Sequence, residues 1–143
     1  MSAARVLMLL SAGVVLLLGS VHLAYTFSGS KLLPRDSATI ESMQRATLVI
    51  SKDTTVWRAW IGFNASHSLG AILFGLVFGY LAAAVPQALF ESVFLSAVGF
   101  AMLAGLAVLA RLYWFGVPFA GVTFALACYG ASIGLWHAAG AAS

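Results

Sequence analysis

The sequence predicts an all-α fold, a four-helix transmembrane bundle with a cytoplasmic first loop that contains a short amphipathic helix. Of the 143 residues, 62% are hydrophobic and only 8% are charged, whereas soluble domains contain about 25% charged residues. Four apolar runs each exceed the ~20 residues that a helix needs to cross a bilayer. The connections between the later runs are short, so residues 1–143 are expected to form a single integral membrane domain.

The four predicted spans differ in length and in how they begin. The first, residues 5–27, is longer than the apolar core of a usual signal peptide, so we expect a retained helix. The second, residues 55–84, is about 45 Å long at 1.5 Å per residue and should tilt or extend past the bilayer on its N-terminal side. The third and fourth cover residues 87–112 and 116–139, and a tight turn places Pro86 at a helix start.

The long connection, residues 28–54, is predicted to hold the amphipathic helix. Asp36 or Ser37 in "PRDS" is a typical N-cap. The residues that recur after it at helical spacing are Ile40, Met43, Thr47 and Ile50. We expect this helix to lie at the membrane interface or over the mouth of the bundle.

The basic residues predict the orientation of the chain. An even number of spans puts both termini on one side of the membrane. The basic residues on the side of the long loop are Lys31, Arg35, Arg45, Lys52, Arg58 and Arg111, whereas Arg5 alone lies on the terminal side. The positive-inside rule therefore places the long loop in the cytoplasm and both termini outside, as in a multi-pass protein of the bacterial inner membrane.

Composition and motifs bear on the possible partners. The basic residues are spread along the chain and do not form a nucleic-acid footprint. Cys128 lies in an apolar run and is expected to be a small buried hydrophobe. No metal-protease, dithiol, phosphate-loop or nucleophile-elbow pattern occurs, and we predict no metal site. The expected partners are the lipid bilayer and a second copy of the chain.

Small residues four apart favour close helix packing and contacts between copies. They occur in the second, third and fourth spans: Gly62, Ser66 and Gly70, Gly75 and Gly79, Ala97, Ala101 and Gly105, and Gly130 and Gly134.

The second span is unusually polar in its first half. Trp57, Trp60, Asn64 and His67 share one stripe at helical spacing. A lipid-facing Asn or His would be costly, so this stripe should face the protein interior. His22 of the first span lies in the same half of the bilayer and could converge with His67. A ligand hydrogen bond, proton transfer, metal or haem ligation and a simple interhelical bond all stay open for these side chains.

A second group of polar residues lies at the long-loop end of the spans. Arg58, Arg111 and Tyr113 could bind a carboxylate, a phosphate or a lipid headgroup. The two arginines could equally be anchors whose side chains reach the headgroups. The candidate ligand-binding residues are therefore Arg58, Asn64, His67, His22, Arg111, Tyr113 and Trp60.

The run "LPRD…TTVWRAWIGFNASHSLGAILFG", preceded by "GSVHLAYTF", resembles a family of small, uncharacterised bacterial four-helix membrane proteins. The resemblance covers most of residues 1–80. It implies four spans and leaves the function open.

A more distant resemblance is to the MAPEG superfamily of membrane glutathione transferases and leukotriene and prostaglandin synthases. Their second helix contains Arg, then Asn, then Glu; Arg58 and Asn64 are similar in order, and His67 stands where the Glu is expected. "RLYWFG", from Arg111, resembles the Arg- and Tyr-rich end of their third and fourth helices. The resemblance implies trimers of four-helix subunits, in which both arginines and Asn64 hold an anionic thiol cofactor and Tyr113 lies near the thiol.

Three hypotheses of function follow. The first is a polar intramembrane site at the long-loop end that binds a small amphiphile or a partner helix. The second is a MAPEG-like glutathione-dependent transferase or isomerase. The third is a purely structural membrane subunit whose polar groups bond neighbouring helices. The sequence assigns no catalytic residue, and the cofactor stays unknown.

Overall fold

The computed structural model describes residues 1–141. Its elements in chain order are α1 (Ala3–Phe27), α2 (Ser37–Arg45), β1 (Thr47–Leu48), β2 (Ser51–Thr55), α3 (Val56–Ala84), α4 (Pro86–Phe90), α5 (Val93–Tyr113) and α6 (Gly116–Ala141). Within the described residues, four helices are long and apolar enough to cross a membrane: α1, α3, α5 and α6. The prediction of four membrane-length helices is therefore confirmed.

Contacts between residues divide the chain into two compact units. The helical unit comprises Met1–Leu18 and the chain from Ala71 onward, and the loop unit comprises Gly19–Gly70. The N-terminal part of α1 and the C-terminal part of α3 belong to the helical unit, and the remaining parts of both helices belong to the loop unit.

The core of the helical unit is apolar and draws on all of its helices. Phe74 and Phe78 of α3 stack with ring centroids 4.5 Å apart, and Phe78 meets the ring of Tyr129 at 5.8 Å. The other large side chains that are almost fully buried are Met8, Val15, Leu89, Phe90 and Leu103. This core depends on packing of large side chains against small ones, as expected where lipid supplies no hydrophobic drive for association.

Close approach between α1 and α3 occurs at one glycine of the predicted packing motifs. A Cβ atom on Gly75 would lie 2.6 Å from Leu16 Cβ and 2.8 Å from the carbonyl oxygen of Ala12. No side chain larger than hydrogen fits there without a shift of α1. Other glycines of those motifs have open space where a Cβ would stand: Gly62, Gly70, Gly105, Gly130 and Gly134.

Hydroxyl groups bond the helices of this unit to one another. Ser11 Oγ of α1 donates to the Ala125 carbonyl of α6 at 2.8 Å, and Ser132 Oγ of α6 donates to the Ala4 carbonyl at 2.7 Å. Tyr129 Oη donates to carbonyl oxygens of α5 at 3.1 and 3.4 Å. Because each hydroxyl has a partner, these polar groups can be buried in an apolar core.

Arg5 caps the C-terminal end of α3. Its Nε donates to the Ala82 carbonyl at 3.0 Å and its Nη2 to the Ala83 carbonyl at 2.6 Å. The last carbonyls of a helix have no partner within it and bear partial negative charge. The guanidinium therefore satisfies two acceptors and complements the helix dipole.

The predicted start of the third span at residue 87 is wrong. The chain forms α4, breaks, and begins α5 at Val93, where Ser92 Oγ accepts the Leu95 N–H at 3.2 Å as N-cap. Pro86 does lie at the first turn of a helix, but that helix is α4. The break lets Leu89 and Phe90 enter the core, with 0% and 1% of their surface exposed.

The long connection contains a shorter helix than the sequence pattern predicts. Asp36 is its N-cap and accepts the Ala38 and Thr39 N–H groups at 3.2 and 3.1 Å. The helix ends at Arg45, so the expected continuation through residues 47 and 50 is wrong. Residues 47–55 instead form an antiparallel hairpin of β1 and β2, as the β-branched composition of "TLVISKDTT" favours.

Candidate functional site

A polar cluster of three side chains, His22, Asn64 and His67, lies within the loop unit. His22 Nε2 and Asn64 Oδ1 are 2.9 Å apart. The rings of His22 and His67 meet edge-on, with centroids 5.5 Å apart and an interplanar angle of 83°. The structure therefore brings together the two histidines whose convergence the sequence left open.

The helices place these side chains by simple geometry. Asn64 and His67 are three residues apart on α3 and so share one face. His22 lies about 8 Å along the axis from the end of α1, and Asn64 about 12 Å from the start of α3, at 1.5 Å per residue. All three side chains are half-buried. The cluster therefore lies within two helices that are apolar and long enough to span a membrane.

The hydrogen bonds fix the orientation of the Asn64 amide. Its Nδ2 donates to the Trp60 carbonyl at 2.8 Å. A carbonyl can only accept, so the amide nitrogen faces Trp60 and Oδ1 faces His22. Oδ1 also can only accept, so His22 Nε2 bears the hydrogen and donates it. Neutral His22 then has its acceptor lone pair on Nδ1.

Two buried hydroxyls flank the cluster and bond to its backbone. Thr26 Oγ1 donates to the His22 carbonyl and Ser68 Oγ to the Asn64 carbonyl, each at 2.8 Å. Both bonds run back four residues along the same helix, a usual arrangement for Ser and Thr in apolar helices. These hydroxyls therefore bond locally to the helix backbone. Sequence analysis did not single out Thr26, although its spacing from His22 was a signal that could have done so.

Two of the other candidate residues, Trp60 and Arg58, lie in the first turns of α3. The Trp60 ring stacks on Trp57 with centroids 5.5 Å apart, and its backbone carbonyl accepts the Asn64 Nδ2–H. Arg58 is exposed, and its backbone N–H donates to Thr55 Oγ1 at 3.3 Å, at the start of α3.

Two further candidates belong to the helical unit. Arg111 and Tyr113 lie at the C-terminal end of α5, and both are exposed, Tyr113 with 76% of its surface. Side chains of this kind at a helix end fit the headgroup region of a bilayer.

The chemistry available at the cluster is hydrogen bonding by two imidazoles and one amide. Within residues 1–141 no group of three or more His, Cys, Asp or Glu side chains could hold a metal ion. The amide of Asn64 is engaged on both of its polar atoms.

Comparison of the chain with protein-family models, with curated proteins and with solved structures finds no match. The geometry of the cluster is thus the basis on which a function can be proposed.

Proposed function

We propose that the chain is a multi-pass membrane protein whose polar cluster binds the head of a small amphiphile. The observation that supports this proposal is the pairing of His22 with both Asn64 and His67 inside apolar helices. Ionisable residues within membrane spans are costly and usually serve a function. Small-molecule sites are typically apolar, with a few polar groups that orient the ligand.

The hydrogen-bond pattern favours one kind of amphiphile head. Asn64 Oδ1 accepts the hydrogen bond from the Nε2–H of His22, so neutral His22 offers Nδ1 as an acceptor. A head with a hydrogen-bond donor, such as a hydroxyl, matches that acceptor. A head that can only accept does not match it.

The second candidate function is that of a purely structural membrane subunit. The bond from His22 to Asn64 joins α1 to α3 and is itself an interhelical contact. Interhelical hydrogen bonds in membranes contribute about 0.6–2 kcal/mol to stability. This candidate requires no ligand.

We infer that the protein lies in the bacterial inner membrane with residues 28–54 in the cytoplasm and both termini outside. The excess of basic residues in and beside that segment supports this orientation. Single cysteines in a Cys128→Ala background, one at Ser37 and one at Ser2, test it. A membrane-impermeant maleimide added to intact cells should label the cysteine at position 2 alone, and the opposite pattern would overturn the orientation.

Matched ligands and variants distinguish the two candidate functions. Unfolding temperatures are measured in mild detergent with dodecanol, which has a donor, and with dodecyl methyl ether, which has none. A site predicts that only dodecanol raises the unfolding temperature and that His22→Ala abolishes the rise. Ser66→Ala is the control, because Ser66 is exposed and bonds to its own helix at Phe63.

A structural role predicts a different result. Asn64→Ala and His67→Ala would then lower the unfolding temperature equally with and without either additive. Native mass spectrometry of the protein released from mild detergent adds an independent observation. A bound hydroxyl amphiphile supports the site, a trimer with a bound thiol supports the MAPEG-like transferase, and a bound polypeptide supports a partner helix.

A further inference from the structure

The turn of the β-hairpin exposes two large apolar residues. Val49 and Ile50 join β1 to β2, and 109% and 91% of their surface is exposed. They are the most exposed large apolar residues in the part of the chain that the structure describes. Neither residue packs against the rest of the loop unit.

The geometry of the turn does not explain why Val49 and Ile50 occupy it. Two-residue hairpin turns favour Asn-Gly, Asp-Gly or Gly-Gly, because one or both positions need a positive φ angle. Among residues 1–141 no residue other than glycine has a positive φ. Val and Ile are β-branched and rarely chosen for tight turns. Their presence therefore calls for a partner outside the hairpin.

The position of the hairpin indicates what that partner is. β2 ends at Thr55, and α3, a membrane-length helix, begins at the next residue. The Val56 N–H donates to the Ala46 carbonyl at 2.9 Å, which ties the base of the hairpin to the first residue of that helix. A strand of this length reaches only ~17 Å at about 3.3 Å per residue. The turn therefore stays within that distance of the first residue of α3.

The neighbouring residues are of the types that occur at the membrane interface. Trp57 and Trp60 lie in the first turns of α3, and tryptophan is enriched where helices cross the membrane interface. Lys52 follows the turn and is exposed. A lysine in this place can bury its aliphatic stem beside an apolar anchor while its ammonium group contacts lipid phosphates.

We propose that Val49 and Ile50 insert into the interfacial layer of the lipid bilayer and anchor the loop unit to the membrane surface. The partner is the bilayer itself. This anchor is independent of whether the polar cluster binds an amphiphile, because none of its residues belongs to that cluster.

Spin labels test the anchor. In a Cys128→Ala background, a nitroxide is attached to Ile50→Cys, and in a matched control to Asp53→Cys, an exposed position of β2. Both proteins are placed in nanodiscs of phosphatidylcholine and phosphatidylglycerol. The label at position 50 should collide more often with oxygen than with a soluble nickel chelate, and the label at position 53 should show the reverse. A label on Val49→Cys should behave like the one at position 50.

Three results would overturn the proposal. Equal access of the nickel chelate to labels at positions 50 and 53 would place the turn in water. Protection from both reagents with spin–spin broadening would show that the turn contacts a second copy. Protection from both without broadening would show that it packs against another protein surface.

Discussion

His22 Nε2 lies 2.9 Å from Asn64 Oδ1, and this bond joins α1 to α3. The Nδ2 of the same Asn64 side chain donates a hydrogen bond to the Trp60 carbonyl. The amide therefore has a fixed orientation, which in turn fixes the protonated nitrogen of His22. A single hydrogen-bonded side chain thus leaves Nδ1 as the nitrogen of neutral His22 that can accept a hydrogen bond.

The first prediction concerns the energy of this bond. A double-mutant cycle of His22→Leu and Asn64→Leu should give a coupling energy of about 0.6–2 kcal/mol, as interhelical hydrogen bonds in membranes do. Unfolding in mixed micelles of mild detergent and sodium dodecyl sulfate measures the four free energies. A cycle of Ser66→Ala with His22→Leu should show no coupling, because Ser66 bonds to the Phe63 carbonyl. Purely additive losses for the first pair would refute the bond.

The second prediction concerns the close contact at Gly75. Gly75→Ala should destabilise the protein by about 1–3 kcal/mol, because its Cβ would lie 2.6 Å from Leu16 Cβ. Gly105→Ala is the matched control, since it has open space for a Cβ atom. There the better helix propensity of alanine should raise stability by up to about 1 kcal/mol. The same unfolding assay measures both, and equal effects of the two substitutions would contradict the close approach of α1 and α3.

The third prediction concerns the cap that Arg5 places on α3. Arg5→Gln should lower stability by about 1 kcal/mol, because two terminal carbonyls and the helix dipole lose a cation. Arg5→Lys should lower stability by less than Arg5→Gln, since lysine keeps the charge although it cannot form both hydrogen bonds in the bidentate geometry of arginine. Arg58→Gln is the control, because that side chain is exposed. Equal losses for the two Arg→Gln variants would show that Arg5 is only a surface charge.

The fourth prediction concerns pH and the N-cap of α2. Hydrogen bonds from the Thr39 hydroxyl and the Ala38 N–H lower the pKa of the Asp36 carboxyl below its ordinary value of 3.8. Its contribution to α2 is therefore full above pH 3.8 and is lost as the pH falls through the lower, folded-state pKa. Amide NMR signals of residues 38 and 39 should follow this transition. Asp36→Asn should abolish it, and a midpoint at or above 3.8 in the unaltered protein would refute the prediction.

The four membrane-length helices could be predicted from sequence because each depends on a long apolar run, a property of composition. The N-cap of α2 could be narrowed to Asp36 or Ser37 because capping is a local signal, and the structure shows that it is Asp36. The face shared by Asn64 and His67 could be identified because helical spacing defines it. His22 could be named as a candidate but not placed, because its contact depends on how α1 rotates against α3.

Features that depend on packing were not accessible in this way. The hydroxyls of Ser11, Ser132 and Tyr129 resemble many other polar groups in apolar helices, and only the register between helices shows which carbonyls they meet. The break before α5 follows from burial of Leu89 and Phe90, which outweighs the local preference for a continuous helix. Residues 47 and 50 fit a helical pattern in the sequence but belong to the hairpin in the structure, because short apolar periodicities fit helices and strands alike.

The cap on α3 has a consequence for biosynthesis. Arg5 leaves the ribosome early, and the Ala82 carbonyl that it binds is 77 residues further along the chain. Until α3 has been made, the Arg5 guanidinium lacks the two carbonyls that it binds in the folded chain. Arg5 therefore acquires its hydrogen bonds only after the second membrane-length helix has formed, and the Ala4 carbonyl acquires its bond from Ser132 only after the fourth.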